Sequence, residues 1–249
     1  MQNRKGLHGV ALAGEGLNED AKRVLQLYGH EVITLPSYDK LPPPLSSHAD
    51  MLLTKIGNDL ISYADYCDRA AYAFSDLSLL LPYGTRLSFV DEIPKAEYPF
   101  DAGLNMLVIG NTLYTKTDTA SQGALDIARK RGMRIRKIKQ GYPACTVLRL
   151  NDGAAITADR GMAKILSQDG IRVTLIDDGG ISLPPYPYGF IGGCGGVFDG
   201  RVYLNGSVDE HPSGEIIKRA IECEGLELIT LHRGALADIG GIIFTERKL

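Results

Sequence analysis

The sequence predicts an α/β fold of five ββαβ units with pseudo-fivefold symmetry, closed into a ring by pairing of its N- and C-terminal strands. Three observations carry this expectation. A pair of short apolar strands around a Gly, Asn or Asp turn recurs four times, and each pair is followed by a short helix and a further strand. The two chain ends then hold complementary halves of a fifth copy.

Taken in chain order, the N-terminus offers GVALAG as a strand, NEDAKRVLQLYG as a helix and EVITL as a strand, the second half of a unit. Four hairpins follow: MLLTKIGNDLISYAD, NMLVIGNTLYTKTD, TVLRLNDGAAITAD and GVFDGRVYLNG. Their turns, Gly57-Asn58, Gly110-Asn111, Asp152-Gly153 and Asp199-Gly200, use the residue types that supply the positive φ of two-residue hairpins. The segments behind them, DYCDRAAYAFSDLSLLL, TASQGALDIARKRG, RGMAKILSQDG and SGEIIKRAIECEG, read as helices by apolar spacing. Ala120, Ala124, Leu125 and Ala128 share one face of the second, and Ile216, Ile217, Ala220 and Ile221 one face of the fourth. Asp or Ser residues serve as N-caps, and Gly132, Gly170 and Gly225 mark the stops. Each helix leads to a strand: RLSFV, MRIRKI, IRVTLI and LELITL. The last segment, DIGGIIFTE, has a strand but no return strand, so pairing residues 239–245 with 8–13 would remove two sheet edges. The units start near residues 50, 105, 145, 194 and 238 and are read as one domain, 1–249.

Composition narrows the function classes. In 249 residues, 44% apolar and 23% charged with a mean hydropathy near zero, the chain has the makeup of a globular protein rather than a disordered or membrane-spanning one. A net charge of −3 argues against holding nucleic acid by bulk electrostatics. The start, MQNRKGLHGVALAG, is too short in apolar residues for a secretory signal, and no run is long enough to cross a bilayer. Four Cys, widely spaced and without a CxxC pair, fit neither a disulfide framework nor a zinc site and point to a reducing cytoplasm. Cys67 and Cys223, in helix sequence, are expected to pack.

The hairpin entries GLNMLVIGNTLY, YPACTVLRLNDG, GGCGGVFDGRVYLNG and ADIGGIIFTE, set in five such units, resemble the pentein fold of the guanidine-modifying enzymes, the dimethylarginine dimethylaminohydrolases most. The resemblance implies a site in the central funnel, where the units' first strands converge. It implies a Cys that attacks a guanidinium carbon, a His acting as acid and base, and carboxylates that clasp the guanidinium nitrogens. A planar, multi-donor cation suits paired carboxylates, and a resonance-stabilised carbon yields to a nucleophile as strong as thiolate. The family's substrate-binding Asp at the first entry matches Asp50 in SSHADMLL, and the Asp of the second entry is replaced by Asn105 in GLNM. The family's His falls on or beside Tyr142 in QGYPACTV, and its Cys on or beside Gly240 in ADIGGIIF, so both catalytic positions are substituted.

Symmetry suggests a replacement set. Equivalent first strands enter the funnel at equivalent points, so His48, Asp50, Asn105, Cys145, Cys194 and Asp238 can face one cavity. Cys194, among the Gly of GFIGGCGGVF, is the expected nucleophile; His48 is its base, with Asp50 beside it and His232 in reserve. Asp238, Asn105 and Cys145 are expected on the substrate side. The expectation is an amidinohydrolase or amidinotransferase for a small guanidine- or amidine-like molecule, without cofactor or metal. The alternative is a catalytically inactive pentein that binds a protein or ribosomal partner, as the missing His and Cys suggest. The oligomeric state stays open.

Three other features point elsewhere. In VALAGEGLNEDAKRVLQLYG the GxG lacks a third Gly, Glu19 standing in its place, and no acidic residue ends the next strand, so a dinucleotide site is not expected. RKRGMRIRKIK (129–139) reads as a helix end and a strand with solvated basic positions rather than an RNA contact. The loop SLPPYPYGF (182–190) is a rigid connection that can cover the funnel mouth. His8, His30 and His211 are read as surface or turn residues.

Overall fold

The computed structural model describes residues 8–248. Residues 1–7, the beginning of the segment read above as lacking a secretory signal, lie outside the described residues, as does Leu249. The chain opens with β1 (Gly9–Gly14), α1 (Glu19–Leu27) and β2 (Glu31–Leu35). A single helical turn, α2 (Ala49–Leu52), then leads into β3 (Leu53–Ile56), β4 (Asp59–Tyr63), α3 (Ala64–Arg69), α4 (Ala71–Leu80) and β5 (Arg86–Val90). The next unit is β6 (Leu107–Ile109), β7 (Thr112–Thr115), α5 (Gln122–Lys130) and β8 (Arg134–Lys137). A second entry turn, α6 (Pro143–Thr146), precedes β9 (Val147–Asn151), β10 (Ala154–Thr157), α7 (Arg160–Gln168) and β11 (Arg172–Leu175). Finally come β12 (Gly195–Phe198), β13 (Arg201–Leu204), α8 (Gly214–Cys223), β14 (Glu227–Thr230) and β15 (Ile243–Glu246).

These strands form five three-stranded sheets, each with its hairpin antiparallel and its third strand parallel to the second. The fifth sheet joins the ends of the chain: β15 pairs antiparallel with β1, Gly9 opposite Glu246 and Leu12 opposite Ile243. First strands touch in sequence, β6 against β9, β9 against β12 and β12 against β15. Lys55 on β3 donates from Nζ to the carbonyl of Phe244 on β15 at 3.0 Å, and Asn105 Nδ2, at the entry of β6, lies 3.5 Å from Met51 Sδ. The last unit therefore contacts the first.

Local chemistry explains the elements. Asn18, Ser121 and Asp159 cap α1, α5 and α7 by accepting from the N–H three residues on, and the buried faces of α5 and α7 carry Leu125 and Leu166. At the last hairpin Asp199 (φ 46°) and Gly200 (φ 76°) both take the left-handed backbone that such a turn demands. The third hairpin differs from expectation. Asp152-Gly153 closes without a positive φ, the Asn151 side chain accepting from Gly153 N at 2.8 Å, and the register shifts at Ala154/Ala155.

The helix expected after Asp65 is two helices, broken at Ala70 (φ −98°, ψ 19°), because α3 packs Tyr66 on Tyr38 while α4 turns Phe74 and Leu77 inward. Ile216 is exposed, so the buried face of α8 is narrower than its sequence suggests. His30 and His211 are buried rather than superficial; His30 Nε2 lies 2.9 Å from the Tyr203 hydroxyl, and His211 Nδ1 accepts from Ser213 N. Cys223 is exposed, not packed. Most of the basic stretch 129–139 is paired locally: Arg131 with Asp59, Arg134 and Arg136 with Asp169, and Lys137 with Asp118. Among the described residues no helix is long and apolar enough to cross a membrane.

Candidate active site in the hub

The entry turns build the site. His48 is the N-cap of α2 and Asp50 lies within its turn, held because Asp50 N donates to the carbonyl of Gly240 at 3.0 Å. Pro143 opens α6 in the same way, its fixed φ suiting the first helical position, and places Cys145 on the matching turn of the third unit. Two helical turns from different units thus aim Asp50 and Cys145 at each other. The Cys145 thiol donates to Asp50 Oδ2 at 2.7 Å, and Asn105 Nδ2 donates to Cys145 Sγ at 3.1 Å. Asn105 is itself fixed by accepting from Ala144 N at 2.8 Å.

His48 and Asp238 complete the group. His48 Nδ1 stands 3.8 Å from Asp238 Oδ1, and Asp238 accepts from the backbone N–H of Gly240 at 3.0 Å and of Phe190 at 2.9 Å. His48 Nδ1 and Asp50 Oδ1 are buried without a hydrogen-bond partner. Of the six residues expected in the hub, the structure brings His48, Asp50, Asn105, Cys145 and Asp238 together. Cys194 makes no hydrogen bond to them: fully buried in the cluster of Leu148, Ile191 and Leu204, its thiol donates to the Phe190 carbonyl at 3.3 Å, and Asp238 reaches it only through its charge. His232 bonds its own loop through Gly234 N. Gly240 (φ 77°) has no room for a side chain, since an added Cβ would overlap Cβ and Cα of His48; the imidazole fills that space instead.

Two cavities flank the group. On the hairpin side a cavity of about 1030 Å³ is walled by the first strands, with Lys55, Arg149 and Asp50 among its lining residues. On the entry side a smaller pocket of about 230 Å³ has His48, Cys145 and Asp238 in its wall, with Tyr142, Tyr186, Tyr188 and Phe190 around them. The loop 182–190, read above first as a rigid connection, supplies Leu183, Tyr186, Pro187, Tyr188 and Phe190 to the wall of this pocket. Tyr142, noted in the sequence only as the position of the family's His, is a wall residue whose hydroxyl donates to Asp101 Oδ2 at 2.6 Å. The signal for Cys145 was present in the sequence: PACT begins with a helix-starting Pro directly before a strand, the counterpart of ADML.

Burial governs the charges. It pushes the Asp50 carboxyl well above the usual carboxylate range, helped by the charge of Asp238, and raises the Cys145 thiol, helped by Asp50 and Asp238. Desolvation also raises Asp238 to about 6 and lowers His48 to about 4. The donor atoms of His48, Asp50 and Cys145 lie within 4.8 Å of one another and have the chemistry of a zinc site. However, two ligands on one tetrahedral zinc stand about 3.5 Å apart. Cys145 Sγ and Asp50 Oδ2, at 2.7 Å, stand at hydrogen-bond distance, closer than two ligands of one zinc.

These shifts have opposite signs in stability. His48 stays neutral in the fold, so its contribution is full above pH 6.5 and lost as pH falls through about 4. Asp238 stays protonated, so its contribution is full below pH 3.8 and lost as pH rises through about 6. Each is worth about 3 kcal/mol, and they oppose each other between pH 4 and 6. In thermal melts His48→Gln is expected to lose stability relative to the parent as pH rises through that window, and Asp238→Asn as it falls. His30, also lowered to about 4, contributes equally in all variants and drops out of the differences.

The pattern of a family described as Family of unknown function (DUF6873) matches residues 13–243. No curated protein matches the chain in sequence. Among solved structures it is similar to the dimethylarginine dimethylaminohydrolase of Pseudomonas aeruginosa, a Cys-to-Ser variant complexed with citrulline, at 12% identity and a TM-score of 0.59 over 98% of this chain and 99% of that one. It is also similar to the agmatine deiminase of C. jejuni, at 10% identity and a TM-score of 0.55 over 98% and 94%. An amidinotransferase of Microseira wollei matches at 13% identity and a TM-score of 0.50 over 98% and 95%. These are pentein-superfamily proteins, and at such identities the likeness shows a shared fold.

Proposed function

Because the chain belongs to the DUF6873 family and carries this hub on a pentein fold, we propose that it is a guanidine-modifying-type enzyme with Cys145, not Cys194, as nucleophile. It acts as a single domain whose sheets close a ring around the hub, in the cytoplasm, where its free thiols stay reduced. One observation carries the reading: a thiol hydrogen-bonded to a carboxylate at 2.7 Å, in the wall of a pocket that also holds His48 and a second carboxylate.

A guanidinium entering the pocket brings positive charge to Asp50 and Asp238, which favours the carboxylates and a thiolate and so reverses the shifts that burial imposes. Cys145 passes its proton to Asp50, and Sγ bonds to the guanidinium carbon. The C–N bond to the departing amine then breaks, and that amine takes the proton from Asp50. Water, or an acceptor amine in a transferase, gives a proton to the neutral His48 and attacks the same carbon; the C–S bond then breaks and the departing Sγ takes that proton from His48, which restores the Cys145 thiol and the neutral imidazole.

Treatment of the folded protein with 2-chloroacetamidine, followed by peptide mass mapping, tests this. Cys145 is expected to be alkylated and Cys194 to stay free, with exposed Cys223 reacting as internal control. An unmodified Cys145 beside a modified Cys223 would count against catalysis. It would favour the second reading, a partner-binding pentein, which one observation supports: Tyr72, Leu79 and Tyr83, on and just after α4, are exposed apolar side chains.

A further inference from the structure

Resting on that reading of Cys145, Asp50 and Asp238, we infer that the entry-side pocket takes a compact guanidine or amidine with an uncharged aromatic or short alkyl tail, and excludes amino-acid guanidines. Size, wall chemistry and charge agree. An apolar cavity of about 150 Å³ holds benzene, so 230 Å³ holds roughly nine non-hydrogen atoms, the size of benzamidine or butylguanidine and short of the roughly twelve of arginine.

The walls suit a cation with a flat or apolar tail. Tyr142, Tyr186, Tyr188 and Phe190 supply aromatic surface, Leu45 and Leu183 supply aliphatic surface, and Tyr142 has its hydroxyl committed to Asp101. Aromatic faces attract amidinium-type cations, most strongly where water is excluded. The only charged partner at the pocket wall is Asp238, with Asp50 behind Cys145, and among the described residues no Arg or Lys lines it. A substrate carboxylate would be desolvated there without a counter-charge. The neighbouring cavity that shares Tyr142 and Tyr186 adds Asp101, and the one that shares Tyr188 and Phe190 offers Arg160 beside Asp159, Asp177 and Asp178. Lys55 and Arg149 line the hairpin-side cavity, which Cys145 does not.

Isothermal titration of the intact protein with phenylguanidine, butylguanidine, phenylurea and arginine tests the inference. Phenylguanidine or butylguanidine is expected to bind at least tenfold tighter than arginine and at least tenfold tighter than neutral phenylurea. Tyr186→Ala is expected to weaken phenylguanidine several-fold while Arg149→Ala leaves it unchanged. Arginine binding as tightly as the tailed guanidines, or neither tailed guanidine binding, would overturn the inference. Alkylation of Cys145 by 2-chloroacetamidine, read separately, tells whether the parent reading fails with it.

Discussion

Gly240→Ala is expected to destabilise the protein by about 4 kcal/mol, the sum of a left-handed backbone strain and overpacking against a part that cannot yield. The added Cβ meets both Cβ and Cα of His48, so relief requires moving backbone rather than turning a side chain. That backbone is pinned, because Gly240 donates to Asp238 and accepts from Asp50. Gly57→Ala is the control: its φ of 59° carries the same backbone strain, but nothing lies within 4 Å of the new methyl group. It should cost about 1 kcal/mol. Urea unfolding of both variants checks this, and equal losses would show that the packing of His48 under Gly240 is not tight.

Asp50→Asn is expected to abolish the preference of Cys145 for a cationic reagent. In the parent protein 2-chloroacetamidine should alkylate Cys145 about 10² times faster than neutral 2-chloroacetamide, a difference of about 2.7 kcal/mol that a buried carboxylate next to the reacting carbon readily supplies. With an amide at position 50 the proton acceptor for the thiol and the negative charge directly behind it are both lost. The two rates should converge to within a few-fold. Asp238→Asn, which removes a charge from the pocket wall but leaves the proton acceptor of Cys145 in place, should lower the ratio by a smaller factor. A ratio unchanged in Asp50→Asn would remove Asp50 from any role with a cation. Cys145→Ser sets the zero of the measurement, and Cys194→Ser should behave as the parent does.

Much of the fold is written locally. The hairpins fall where Gly-Asn and Asp-Gly turns stand between β-forming residues, and the helices where caps and apolar spacing agree, since both depend on interactions within a few residues. Even so, local signals mislead where packing intervenes. The break at Ala70 lets Tyr66 and Phe74, on either side of it, meet edge to face while Tyr66 also packs on Tyr38, and His30 is buried because Tyr203, 173 positions away, offers it a partner.

The candidate site divides the same way. Sequence symmetry brought His48, Asp50, Asn105, Cys145 and Asp238 to one hub, but preferred Cys194 as the nucleophile because of its Gly-rich surroundings. The structure turns those Gly to close packing: a Cβ at Gly192 would strike the carbonyls of Ala144, Cys145 and Val147, which leaves Cys194 in the core and Cys145 at the pocket.

The sequence by itself therefore determined the repeat, the order of its strands and main helices apart from the break at Ala70 and the entry turns, the pairing of the chain ends and the residue types available to the hub, because turn geometry, capping and periodicity act over short range. Only the tertiary structure decided which thiol meets Asp50, that an imidazole fills the space beside Gly240, and that the pocket is small, aromatic and acidic. Those depend on distances between segments far apart in the chain, which close packing sets to within an ångström and no local pattern encodes.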